Sequence, residues 1–366
     1  MARRIVLYGA AGYTGRLVAE LLVAAKERPV LAGPSHQNLA ALGVLLGKGL
    51  DIAVADSRVP ESALAMLRKD DVLVSTIGPF TSLGRPAVEA AIIAGATYID
   101  CAAEAPFLRA VVQDLSPHAR DAGVALVPGF GFRAVAGLLA AELAIEGLRD
   151  ATRVDIAYLG VAGPHRWRSA GMWASRGASA LLPQFAWRGG ELVTVPNADR
   201  TQTFEVDGRM HAATSTGGLE ALTLPTRHPA LTDVGVYHGD ARSLRRASMR
   251  SAVLSRIGRV PGAPPAIAWL TALPRQEPGP QPEARARSER AALATAYDAD
   301  GGELRTLLVR GADVHAITAS LLAQCALRIA AEGMTGVGAL DPVDALGFQT
   351  VRDMAGAAGL SVTYPG

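Results

Sequence analysis

Over its first 130 residues the chain alternates short apolar runs with amphipathic stretches. Ile5–Leu7, Val30–Ala32, Ile52–Ala55, Asp71–Ile77, Tyr98–Cys101 and Val124–Val127 read as strands. Between them Leu39–Leu46, Pro60–Arg68, Arg85–Ala94 and Phe107–Ala122 read as helices. A further helix follows the first strand, with Leu17, Val18, Leu21, Leu22 and Ala25 on one face opposite Arg16 and Glu20. Continuous apolar strands separated by helices predict an α/β fold with a parallel, doubly wound sheet. After a helix over 134–147 the texture changes. Thr152–Leu159 is strand-like, Trp187–Asp207 reads as a hairpin around Gly189-Gly190, and Ala292–Val309 as two strands joined by Asp300-Gly301-Gly302. A second α+β domain on a mostly antiparallel sheet is expected, with a helix at Arg168–Leu181. Val314–Ala331 then predicts a long helix with Ile317, Leu321, Cys325 and Ile329 on one stripe. The expected division is 1–133, 134–310, and a C-terminal helix and tail over 311–366 that packs back on the first domain.

The junction of the first strand and helix carries the most specific signal. RIVLYGAAGYTG places Gly9, Gly12 and Gly15 three residues apart, with Ala11, Tyr13 and Thr14 between them. Glycines at this spacing allow a tight turn, a close approach of backbone to a pyrophosphate, and anion binding at a helix N-terminus.

Composition narrows the chemistry. With 366 residues, 49% hydrophobic, the chain can bury a full core, and a net charge of +2 implies no nucleic-acid partner. The chain has 33 Arg but only three Lys, at positions 26, 48 and 69. A Schiff-base lysine or a Tyr-x-x-x-Lys pair is therefore absent from the rest of the chain. Cys101 and Cys325 match no metal or redox spacing, and no HExxH motif or Ser-His-Asp arrangement occurs, so no metal is expected. The start lacks a secretion-signal pattern, and Val260–Pro274 is too short and proline-rich to span a bilayer. A cytoplasmic protein without stable membrane insertion is expected. The basic segment Ser243–Val260 reads as an amphipathic surface helix.

Three motifs, GAAGYTGRLVAELL (Gly9–Leu22), STIGPFTSLGRPAVEAAIIAGATYIDCAAE (Ser75–Glu104) and AGVALVPGFGF (Ala122–Phe132), resemble the saccharopine-dehydrogenase-like oxidoreductases, which include the trans-acting enoyl reductases. Weaker echoes lie in Thr216–Gly239, Arg287–Gly302 and Gly347–Thr350. The resemblance implies a Rossmann domain, an inserted domain that builds the substrate cleft, a homodimer, and a nicotinamide cofactor, usually NADPH. It also places Gly78, Pro79 and Phe80, with Glu104, at the ligand edge of the sheet. Two departures stand out. Where relatives carry Gly-Arg after the second strand, this chain has Gly33-Pro34-Ser35-His36-Gln37, with no Arg for a 2′-phosphate and no acid for the ribose. Ser35 and His36 can still hydrogen-bond a 2′-phosphate, and the missing acid disfavours NAD. After the third motif, the Asp and Pro-Thr-Asp or Pro-Ser-Asp of many relatives give way to Arg133 and apolar residues.

Hydride transfer needs a polarised acceptor and a proton donor. Tyr237 and His238, at the end of GVYHG, are the donor candidates, with Arg133 to polarise. Asp100 and Glu104 are further candidate acids in the cleft or, equally, carboxylates that cap a loop or helix. Arg166, Trp167, Met172 and Trp173, close to His165, Arg168 and Trp187, suggest an apolar substrate pocket with a guanidinium to orient an oxygen. The expected activity is NADPH-dependent reduction of a C=C, C=N or C=O bond in a medium-sized, largely apolar small molecule. A redox-neutral isomerase or cyclase, or a non-catalytic NADP-binding protein, stand as alternatives.

Overall fold

The structure, a computed structural model, describes residues 3–47, 49–162, 182–239 and 287–364. The chain forms two compact units. One comprises Met1–Ala103, Phe107–Phe132 and His315–Met354, the other Glu104–Pro106, Arg133–Val314 and Ala355–Gly366.

In the first unit, β1 (Ile5–Tyr8), β2 (Val30–Gly33), β3 (Ile52–Val54), β4 (Val72–Ser75), β5 (Thr97–Asp100), β6 (Ala125–Val127) and β15 (Gly338–Ala339) form one sheet. Its order is β15-β6-β5-β4-β1-β2-β3, and every pair is parallel. This is the doubly wound sheet expected from the alternation, and its strand order reverses between β1 and β4, where such sheets bind ligands. Val6, Leu7, Leu31, Leu73 and Val74 are wholly inaccessible, which is why these strands are apolar without alternation. The first helix, Tyr13–Ala24, buries Gly15, Val18, Ala19 and Leu22, whereas Leu21 is 40% exposed. The expected face is thus rotated, because Gly15 must abut the turn and fixes the stripe at 15, 18, 19 and 22. The segment expected as one helix over 107–122 runs through Ala105–Arg109, a wider π-helical stretch Ala110–Leu115, and Ser116–Asp121.

The helix Val314–Glu332 returns to this unit. It is long and apolar enough to cross a membrane by length and composition. Its stripe of Ile317, Leu321, Cys325 and Ile329 is nevertheless buried, as the periodicity predicts, and Gln324 donates to the Met354 carbonyl at 3.3 Å. Burial in an apolar environment pushes the Cys325 thiol pKa up. The chain's last strand parts from the expected tail: β16 (Ser361–Thr363) pairs in the second unit.

The second unit is built on β7 (Arg153–Ala162), β8 (Gln184–Arg188), β9 (Glu191–Val195), β10 (Thr201–Val206), β11 (Arg209–Ser215), β12 (Asp233–Gly239), β13 (Glu289–Tyr297), β14 (Glu303–Ala312) and β16. The order is β10-β11-β12-β7-β13-β14-β16, with β8 on β12 and β9 on β8. Among the described residues only β12–β7 is parallel, so the mostly antiparallel expectation holds. The segment Trp187–Asp207 is not a single hairpin. Gly189-Gly190 closes β8–β9, Pro196 cannot donate to a ladder, and Asp207-Gly208 closes a second hairpin, β10–β11. Both turns hold two consecutive positive-φ residues, as tight hairpins require. One face of this sheet carries an apolar cluster that includes Ala157, Leu159, Phe204, Tyr237, Leu293 and Leu308.

Candidate functional site

The glycine turn after β1 is shaped by backbone packing. Gly9 lies at φ +90°, and a Cβ there would meet Thr76 Oγ1 at 2.7 Å. Thr76, which follows β4, braces the turn by donating its N–H to the Tyr8 carbonyl at 2.9 Å, with its hydroxyl 3.2 Å from the Tyr8 and Gly9 carbonyls. A Cβ on Gly15 would lie 2.9 Å from both Ala10 Cα and the Gly9 carbonyl carbon, and nearer still to the Gly9 oxygen. No side chain fits between helix and turn. Gly12 is the extended N-cap of the helix and offers no side-chain cap to its first N–H groups. Ala11 and Gly12 are exposed, while Tyr13 and Thr14 are half-buried. This is a cradle that a phosphate can enter and a side chain cannot.

Two further loops complete this sheet edge. After β4, Gly78 is half-buried and Pro79 buried. Phe80 packs inward against Phe107, centroids 5.4 Å apart. After β5, Asp100 is fully buried, and its Oδ1 accepts from the Ala102 N–H at 2.7 Å and the Gly129 N–H at 2.8 Å. Asp100 is therefore the loop cap of the two readings, tying the end of β5 to the loop after β6. Beyond β2, Ser35 caps the helix His36–Leu45 by accepting from the Asn38 N–H at 3.3 Å, and His36 is exposed. One strand further, Arg58 follows β3 and grips Asp56, its Nη2 2.7 Å from Oδ2.

The second unit holds a separate polar constellation. Tyr158 on β7 is 3% exposed and donates its hydroxyl to Glu220, itself 2% exposed, in the helix Glu220–Arg227. Burial, then the Glu220 charge, raises the Tyr158 phenol well above its ordinary value. The Arg133 guanidinium stands over the Tyr158 ring, 4.6 Å from its centroid. Two glycines make room: a Cβ on Gly137 would lie 2.6 Å from Glu220 Oε1, and one on Gly218 would strike Oε2. His238 is the register partner of Tyr158 on the neighbouring strand, so both project from the same face of the sheet.

Residues 5–127 match the family profile described as the saccharopine dehydrogenase NADP binding domain. Over that stretch the chain is similar to saccharopine-dehydrogenase-type NADP-binding domains. A Mycobacterium tuberculosis protein provisionally named a trans-acting enoyl reductase is 36% identical over 156 residues, which is 41% of this chain and 36% of that protein. A Mycobacterium leprae trans-acting enoyl reductase is 35% identical over 136 residues, 36% of this chain and 32% of its own length. The chain thus spans about a third of the length of the curated relatives it matches. Apo saccharopine dehydrogenase (L-Glu forming) from Saccharomyces cerevisiae shares the fold at TM-score 0.62 and 13% identity, with all of both chains covered.

Within the first unit, the structure gathers Gly9, Ala11, Gly12, Tyr13, Thr14, Gly15, Gly78, Pro79, Phe80, Ser35 and His36 at the C-terminal edge of one sheet. Arg133 and His238 share the second-unit face of Tyr158. Tyr237 does not join them, because side chains alternate along a strand. It projects to the other face, 4% exposed, packed 5.3 Å from Phe204, with its phenol pushed up to about 12 by burial and then by Asp155. Glu104 is buried and clusters with the second unit. Arg166, Trp167, Met172 and Trp173 lie outside the described residues, as do the expected helix Arg168–Leu181 and the basic segment 243–260. Trp187 is tied down by donating its indole N–H to the Leu231 carbonyl at 2.9 Å. Thr76, Tyr158 and Glu220 escaped the sequence reading, since each acts through a partner more than sixty positions away. The one local trace of the last two is the placement of Gly137 and Gly218.

Proposed function

We propose that the chain is an NADPH-dependent reductase of an activated double bond in a medium-sized, largely apolar molecule. The observation that carries this reading is the cradle at Gly9–Gly15, where helix and turn meet too closely for any side chain. The residues present fit NADP(H). The uncapped start of the helix Tyr13–Ala24 suits the pyrophosphate. The Ser35 hydroxyl and the exposed His36 offer hydrogen bonds to a 2′-phosphate. Arg58, one strand away at the same edge, supplies the guanidinium missing after β2.

Bound NADPH would supply the hydride. The remaining work falls to the second unit. In our reading Arg133, held by its stack on Tyr158, orients the substrate oxygen and stabilises negative charge on it. His238 is the proton donor on the same face. The names of the relatives favour a conjugated C=C as the acceptor. Titration with NADPH and NADH, followed by nicotinamide fluorescence, tests the cofactor reading: saturable NADPH binding is expected, and no binding of either would overturn it. NADPH oxidation with crotonyl thioester, a short conjugated acceptor, then tests the reaction, with loss of turnover expected in R133A.

A further inference from the structure

The helix Val314–Glu332 re-enters the first unit beside the glycine turn. His315, in its first turn, is only 9% exposed. Its imidazole meets the Tyr13 ring edge-on, with centroids 4.9 Å apart and planes at 82°. Three residues on, Thr318 Oγ1 accepts from the Phe132 N–H at 3.1 Å. Gly131 permits that approach: a Cβ there would lie 3.1 Å from both Thr318 Cγ2 and Cys101 Cβ. Residues three apart lie on one helical face, so a single turn touches both the segment after β1 and the loop after β6. In the sheet those strands are separated by β4 and β5, a span of about 14 Å at ordinary strand spacing. The turn therefore reaches across the C-terminal ends of β4 and β5, the edge where a doubly wound sheet takes its ligand. Phe132 and His315 are also where the chain leaves and re-enters this unit.

Apolar packing accounts for the buried stripe further along the helix, but not for an imidazole set against the first residue of the helix that follows the cradle. We propose that the first turn of the helix Val314–Glu332 is part of the dinucleotide site. His315 is a positioning residue that holds Tyr13 in place at the cradle, and Thr318 fixes the loop 129–132 on the far side of the edge. This rests on the NADP(H) reading and adds to it a wall from the opposite end of the chain.

Hydrogen exchange of the wild-type protein with and without saturating NADPH is the primary test. Slowed exchange is expected both at 9–16 and at 314–320, and protection confined to 9–16 would overturn the proposal. In fluorescence titrations H315A is expected to weaken NADPH binding about tenfold, while H315F, which keeps the aromatic edge, stays within about twofold of wild type. An H315A protein that binds as wild type does would also sink the idea. Should H315A fail to fold, the wild-type exchange pattern still decides. Wild-type protein that binds no NADPH defeats the cofactor reading and this inference together. Binding without protection at 314–320 defeats this inference alone.

Discussion

Substituting alanine at three glycines, two in the first unit and one in the second, should give three different outcomes, because the space around each differs. At Gly15 the new methyl would sit 2.9 Å from Ala10 Cα and the Gly9 carbonyl carbon, about 0.6–1.1 Å inside the optimal carbon–carbon separation. Both obstacles are backbone, so the helix must move away from the turn. Overpacking of this kind costs about 1–3 kcal/mol, and each kcal/mol lowers Tm by about 2–4 °C in a unit of this size. The same displacement carries the helix N–H groups off the phosphate. Losing one hydrogen bond to a charged group, worth about 1.5–3 kcal/mol, raises the NADPH Kd by about one to two orders of magnitude. At Gly12 the methyl would lie 3.1 Å from a single carbonyl oxygen, on an exposed residue with φ −72°. G12A should keep its Tm and lose affinity, since that backbone must approach the pyrophosphate. Gly356 lies in the last turn of the helix Phe348–Ala357, with nothing within 4 Å of a new Cβ. G356A should gain about 0.5–1 kcal/mol from helix propensity and bind as before. Differential scanning calorimetry and fluorescence titration read all three variants. A G15A protein with wild-type Tm and Kd, or a G12A protein less stable than G15A, would refute the steric reasoning.

Other expectations follow from the same geometry. Arg58→Ala should weaken NADPH binding about tenfold and leave NADH unchanged; equal loss for both cofactors would remove Arg58 from the 2′-phosphate. Tyr158→Phe leaves the buried Glu220 carboxylate without its phenol donor and should cost about 1–3 kcal/mol in urea denaturation. Tyr237→Phe, on the opposite face, should preserve NADPH oxidation, and loss of turnover there would return Tyr237 to the site. Glu142 takes Arg227 Nε at 2.8 Å and His228 Nε2 at 2.7 Å. Burial pushes its carboxyl up, but the hydrogen bond from His228 and the Arg227 charge outweigh it and leave the net shift downward. A carboxylate pKa depressed by folding stabilises above its unfolded value and loses that contribution as pH falls through the folded one. Stability should therefore fall on acidification below about pH 4.5, the ordinary glutamate value, and Glu142→Gln should flatten that limb, as read by urea midpoints across pH.

The sequence by itself determined six of the seven strands of the first sheet and its cradle, but not the short Gly338–Ala339 strand at its edge. Apolar runs such as Val72–Ser75 have few ways to be buried, and glycines at 9, 12 and 15 encode a turn whose requirements are local to a dozen residues. It also located the turns at 189–190 and 300–302, where only particular residues accept the backbone. It did not show that 187–207 contains parts of two hairpins, because alternation over a short span is compatible with either pairing. Nor could it set the rotation of the first helix: Leu21 and Leu22 look alike in sequence, and contact between Gly15 and the turn decides which is buried. Tertiary structure alone joined Tyr158 to Glu220 and His315 to Tyr13, and it alone put His238 rather than Tyr237 on the face of Tyr158. Adjacent residues on a strand face opposite ways, so which of the two meets Tyr158 depends on the register of β12 against β7. Register and helix rotation are set by contacts between residues distant in the chain, and no local pattern carries them.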